Sequence, residues 1–198
     1  MEALGIYGGT FDPVHAGHIE IAEIAYAQHG LNKVLLIPAN NPWLKTGLKV
    51  SKFVHRYRML EIATSCRTGL EVSDIEGRRQ GPTYTIDTVL QLQRTYSEVE
   101  LVLILGEDAV EALPRWHRVD ELMKLCLVSV YRRSSANTTE NAEEIISSLG
   151  GHMAWLHGPD LDISATELRS LIAAGVDPLE KLPRGVYPYL QTERLYLL

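Results

Sequence analysis

Gly8-Gly9-Thr10-Phe11-Asp12-Pro13-Val14-His15-Ala16-Gly17-His18 is the stretch on which the fold turns. It follows Ala3–Tyr7, an apolar run with the size and composition of a buried strand, and leads into a segment from about Gly17 to Gln28 that suits a helix. Glycines at this junction let the backbone pass close to a ligand, while the first N–H groups of the helix have no acceptor of their own. The loop therefore predicts an anion site. His15 and His18 stand three residues apart, so a helix beginning near Ala16 turns both imidazoles toward one phosphate chain. There their donors and the helix dipole would stabilise charge growing on phosphate oxygens. A metal pair or a packed turn would also use two histidines, but the glycines and the place after the first strand favour the anion site. Neither G-x-G-x-x-G nor G-x-x-x-x-G-K-[ST] occurs, which removes the usual dinucleotide and P-loop readings.

Outward from this loop, strand-like and helical stretches alternate. Lys33–Ala39 reads as a second strand, and Ser51 as the cap of a helix running to about Ser65. Leu70–Ser73, a Tyr84–Thr95 helix, Leu101–Leu105 and an Asp108–Leu113 helix follow. Leu125–Tyr131, a helix near Glu140–Leu149, Met153–Leu156 and a Ser164–Ala174 helix stopped by Gly175 complete the series. Such alternation predicts an α/β sandwich with a parallel sheet flanked by helices, in which ligands sit beyond the carboxyl ends of the strands. The polar stretch Arg132–Asn141 is the one candidate tether. No domain boundary is visible, so residues 1–198 are expected to form a single domain.

With 45% hydrophobic and 22% charged residues, the chain can bury a sizeable core. The net charge of −6 argues against broad capture of nucleic acid or anionic membrane. Cys66 and Cys126 lack C-x-x-C spacing, so neither a disulfide framework nor a metal knuckle is expected, and no metal ligands are assigned. The start has no signal-peptide pattern, and no stretch approaches the roughly 18 apolar residues needed to span a bilayer. A soluble cytoplasmic protein is the expectation, with homo-oligomerisation left open.

A second cradle stands near the other end. Ser164 is placed to cap a helix, Thr166 adds a hydroxyl in its first turn, and Arg169 follows one turn later with a planar donor fork. A capped helix with Arg169 paired to a surface acid is the competing reading.

The first loop resembles the signature G-G-T-F-D-P-x-H-x-G-H of the H-x-G-H nucleotidyltransferases, whose members have a Rossmann-like fold and transfer AMP or CMP. Ile163-Ser164-Ala165-Thr166-Glu167-Leu168-Arg169 resembles the superfamily's second signature, I-S-S-T-x-I-R, with Ala165 in place of the second serine. Further segments are similar to the bacterial nicotinate-nucleotide adenylyltransferase branch. In Ile37-Pro38-Ala39-Asn40-Asn41-Pro42-Trp43-Leu44-Lys45 the lysine matches and the histidine of Pro-Pro-His-Lys does not. Gly81-Pro82-Thr83-Tyr84-Thr85-Ile86-Asp87-Thr88 resembles the substrate loop, and Leu105-Gly106-Glu107-Asp108 with Trp116-His117 resembles the G-x-D and tryptophan segment. The likeness extends from Gly8 to Arg169.

That resemblance implies attack by nicotinate mononucleotide on ATP, with Mg²⁺ carried mainly by ATP. ATP would be held by Gly8, Gly9, Thr10, Phe11, His15, Gly17, His18, Ile163, Ser164, Thr166 and Arg169, of which His15, His18 and Arg169 are catalytic. Lys45, Arg56, Tyr84, Thr85, Gly106, Asp108, Trp116 and His117 would hold the mononucleotide. Trp116 offers a π face to a pyridinium ring, Asp108 accepts from ribose hydroxyls, and the helix start at Thr85 suits a carboxylate. A nicotinamide-preferring or dual-specificity relative is the nearest alternative. Phosphopantetheine adenylyltransferases usually have Thr at the place of His15, and cytidylyltransferases lack the Tyr84-Thr85 and Trp116 segments. Lys49-Val50-Ser51-Lys52 faintly resembles the second signature of class I aminoacyl-tRNA synthetases, but it follows the second strand instead of the last. A nucleotide-sensing module without chemistry would have no need of two phosphate cradles.

Overall fold

The computed structural model describes residues 2–42, 50–132 and 139–197. Six parallel strands form one sheet in the order β3-β2-β1-β4-β5-β6. They are β1 (Ala3–Gly9), β2 (Lys33–Pro38), β3 (Leu70–Val72), β4 (Glu100–Gly106), β5 (Leu127–Tyr131) and β6 (Met153–Leu156). The helices α1 (Ala16–Gln28), α2 (Phe53–Thr64), α3 (Thr85–Thr95), α4 (Glu107–Val110), α5 (Val119–Leu122), α6 (Thr139–Ser148), α7 (Ala165–Ala173) and α8 (Val186–Thr192) alternate with or follow them.

The expected α/β class, a Rossmann-like parallel sheet, is what forms, because the strands are apolar at both odd and even positions. Leu101, Leu103 and Leu105 of β4 enter one core cluster with Leu4, Ile6, Ile86 and Val130, while Val102 and Ile104 enter a second with Val34, Leu36, Ala22 and Leu168. Side chains alternate across a strand, so this division covers both sheet faces, as parallel sheets require. Gly5 faces the second cluster, where a Cβ would lie 2.8 Å from Leu31 and 2.9 Å from Val34. Only a bare backbone lets that layer close.

The chain runs outward from β1 to β3 and returns to place β4 on the other flank of β1. Helix connections diverge at such a reversal and leave a crevice beyond the carboxyl ends of β1 and β4. The first loop opens into that crevice.

Several boundaries differ from the sequence expectation. β1 runs two residues past Tyr7, because Gly8 and Gly9 pair with Ile37 and Pro38. Lys52, not Ser51, is the cap residue of α2, since the Ser51 N–H is drawn to the Asp12 carboxylate. The Asp108–Leu113 helix stops at Val110, and a 3-10 turn over Leu113–Arg115, containing Pro114, takes its place. α5 and α8 are too short for hydrophobic periodicity to reveal. Most of the candidate tether lies outside the described residues. Cys66 and Cys126 are both free, and burial pushes the Cys126 thiol up to about 12. Among the described residues no helix is long and apolar enough to cross a membrane.

Candidate active site

His15 is the N-cap residue of α1 and His18 lies in its first turn, with imidazole centroids 3.6 Å apart and the rings stacked. The His15 N–H donates to His18 Nδ1 at 3.2 Å. A neutral His18 that accepts at Nδ1 carries its proton on Nε2, so the remaining ring nitrogen is a donor. Phe11, only 2% exposed and at φ 51°, supports His18 edge to face at 4.9 Å. Gly9 is required here, since a Cβ would lie 2.9 Å from the Phe11 ring, whereas a Cβ on Gly8 would meet nothing within 4 Å. The backbone at Gly8 thus presents open space on the crevice side.

The two signatures meet. Arg169 Nη1 donates to the Asp12 carbonyl at 2.7 Å across 157 positions of sequence, and its Nη2 donates to Thr166 Oγ1 at 3.1 Å. The paired-surface-acid reading of Arg169 is thereby replaced by a bridge between cradles. Ser164 does occupy the N-cap of α7, but its hydroxyl makes no capping bond, and Ile163 packs against the core beside it. Asp12 is 5% exposed, with Ser51 N–H on Oδ2 at 3.2 Å and the Tyr196 hydroxyl on Oδ1 at 2.5 Å. Both carboxylate oxygens hold the loop in shape.

A pocket of about 170 Å³ lies at the carboxyl ends of β1 and β4, lined by Gly8, Gly9, Thr10, Thr85, Trp116 and Glu76 among others. Thr85 opens α3, whose first N–H groups lack intrahelical acceptors. Half-buried Trp116 turns toward this space with Nε1 buried and without an acceptor among the described residues. Tyr84 and His117, next in sequence to these two, pack on each other with ring centroids 4.3 Å apart. Gly106 is the N-cap of α4 and Asp108 stands exposed in its first turn. Neither is part of the pocket wall.

Arg56 requires a correction. Its side chain is 1% exposed, and its guanidinium donates to the carbonyls of Ser51 at 2.8 Å, Thr10 at 2.9 Å and Asn40 at 3.4 Å. Burial works against its charge, while nearby Asp12, Tyr196 and Glu76 favour it. Spent on these carbonyls and turned away from solvent, Arg56 clamps the loop after β1 to the loop between β2 and α2. Arg56→Ala should therefore lower unfolding stability by about 2 kcal/mol, because it strips a charged donor from buried carbonyls. An unchanged thermal midpoint would show that the clamp carries no stability. Lys45 lies outside the described residues.

Thr83 falls within the segment that resembles the substrate loop, whereas Glu76 and Tyr196 were not legible from the sequence. Glu76 is buried, and burial raises its carboxyl above the ordinary range against the opposing pull of Thr88 and Arg79. It accepts from Thr88 Oγ1 at 2.7 Å, and Arg79 bonds the same hydroxyl. Thr83 fastens this turn to the loop after β2 through bonds to the Asn41 carbonyl. Standing between Ile75 and Gly77 and just ahead of Arg78 and Arg79, Glu76 carries no sequence signal that it will be buried.

Residues 6–171 match the cytidylyltransferase-like family model. A probable nicotinate-nucleotide adenylyltransferase from Thermoanaerobacter is 40% identical over 197 residues, covering 98% of this chain and 93% of the relative. One from Saccharopolyspora erythraea is 37% identical over 194 residues, covering 98% and 89%. The nicotinic acid mononucleotide adenylyltransferase of Plasmodium falciparum, solved with NaAD, shares the fold at a TM-score of 0.84 over 99% of this chain and 98% of that one, with 17% identity. The geometry of the two cradles and the full-length likeness agree, and the chain belongs to the nicotinate-nucleotide adenylyltransferase family of nucleotidyltransferases.

Proposed function

We propose that the protein transfers the adenylyl group of ATP to nicotinate mononucleotide, forming deamido-NAD and pyrophosphate in the cytoplasm. The observation that carries this reading is the joining of the two cradles. Arg169 is tied to the Asp12 carbonyl of the loop that presents stacked His15 and His18, and that same loop lines the pocket holding Thr85 and Trp116.

In the reaction, an oxygen of the mononucleotide 5′-phosphate attacks the α-phosphorus of ATP. The bond from that phosphorus to the bridging oxygen breaks, and pyrophosphate leaves with the electron pair. The attacking phosphate is already anionic, so no general base is needed. The protein's contribution is alignment and charge stabilisation. His18 Nε2–H and His15 serve the α- and β-phosphate region, Arg169 with Thr166 and the backbone at Ser164 holds the departing pyrophosphate, and Gly8 allows close approach. ATP enters as its Mg²⁺ complex, the cation held by phosphate and water. Among the described residues no group of three or more His, Cys, Asp or Glu side chains could hold a metal ion.

In the pyridine pocket, main-chain N–H groups at the start of α3 and near Trp116 would face both oxygens of a carboxylate. An amide would set its NH₂ against one of them, a mismatch of roughly 1–3 kcal/mol. Nicotinate mononucleotide should therefore exceed nicotinamide mononucleotide by at least about tenfold in kcat/KM. A side-by-side turnover assay with ATP decides this, and equal rates would indicate a dual-specificity enzyme.

A further inference from the structure

The adenylyl-transfer scheme makes no use of the segment after α8, yet that segment reaches the phosphate loop. Leu195 and Tyr196 pack against the same core cluster as Phe11, Leu168 and Leu190, and the Leu195 N–H donates to the Leu190 carbonyl at 3.0 Å. Arg194 and Tyr196 hold left-handed backbone angles, φ 51° and 62°. Residues with a Cβ adopt that conformation only where their surroundings compel it. The result of these two bends is that the Tyr196 hydroxyl donates to Asp12 Oδ1 at 2.5 Å. Burial and the Asp12 carboxylate push the phenol far above its ordinary range, so it stays a donor.

Asp12 is the hub of the loop. Its second carboxylate oxygen takes the Ser51 N–H, and its carbonyl takes Arg169 Nη1. The loop is thus held from the α2 start, from α7 and from the segment after α8. All three bonds have an ionised donor or acceptor, and the last, through the Tyr196 hydroxyl, is the one that a single-atom side-chain change removes. We propose that Tyr196 is a positioning residue for adenylyl transfer, acting through Asp12 to hold the His15–His18 loop and Arg169 in register. Its hydroxyl is spent on Asp12, and the scheme assigns it no substrate contact. The inference rests on the proposed reaction for its kinetic consequence but not for its structural one.

Tyr196→Phe removes the hydroxyl and keeps the packing ring. The expected result is a fall in kcat of about tenfold with the KM for nicotinate mononucleotide within about twofold, since a loosened loop misplaces charge in the transition state more than it weakens ground-state binding. In an Asp12→Ala background the same change should alter kcat less than about twofold, because residues that act through one partner are not additive. Amide hydrogen exchange over residues 9–15 should rise about tenfold in Tyr196→Phe, whatever the substrate. The proposal is overturned if exchange in the loop is unchanged, if kcat stays within about twofold of the unmodified protein, or if the Asp12 and Tyr196 effects multiply. Should the unmodified protein turn over neither mononucleotide, the reaction fails and the exchange measurement alone decides the coupling.

Discussion

His18→Ala should lower kcat by about 10²–10³-fold while moving the KM for ATP only a few fold, the magnitude seen when one preorganised donor to a developing oxyanion is removed. The structure supplies the preorganisation. His18 Nδ1 is occupied by the His15 N–H, its face by the His15 ring and its edge by Phe11. The ring therefore has one tautomer and one orientation available, with Nε2–H as its donor. No reorientation is then required as charge shifts toward the bridging oxygen. The variant's thermal midpoint must be measured beside its kinetics, because the His15 N–H also loses its acceptor. A kcat within about tenfold of the unmodified protein would reduce His18 to a cap of α1.

Arg169→Ala should cost a comparable 10²–10³-fold in kcat, and Arg169→Lys should recover only a small part of it, about tenfold at most. The guanidinium spends Nη1 on the Asp12 carbonyl and Nη2 on Thr166 Oγ1. Its remaining donors lie in the same plane, so under the proposed reaction the fork would bridge both loops and a phosphate oxygen at once. An ammonium on a shorter, unforked stem cannot hold that set of acceptors in one plane. Run in reverse, the lysine variant should show a raised KM for pyrophosphate and a smaller change for the dinucleotide. Full forward activity in Arg169→Lys would reduce the fork to a point charge.

The two segments proposed to meet phosphate are readable in the chain because their spacing is local. Gly8, Gly9, His15 and His18 fall within one strand-to-helix turn, and Thr166 and Arg169 within one helical turn, so spacing along the backbone already sets distance in space. Parallel-sheet strands are likewise legible as apolar runs, since burial on both faces leaves no polar alternation to obscure them.

Arg56 shows where that legibility ends. A basic residue after a candidate phosphate loop reads as a phosphate contact, and nothing nearby in sequence says that three carbonyls from two loops will converge on it. Glu76 and Tyr196 are missed for the same reason, their partners Thr88 and Asp12 being brought to them by folding.

The sequence by itself determined the alternation that makes the sheet, the turn that sets His15 beside His18 and the helical turn that sets Thr166 beside Arg169, the last two through contacts within a few residues. Only the tertiary structure decided that Arg169 joins the cradles, that Arg56 is a buried clamp and that Tyr196 braces Asp12. Those are hydrogen bonds between groups as far as 184 positions apart, so the packing of α2, α7 and the segment after α8 against the loop that follows β1, rather than any local propensity, brings them together.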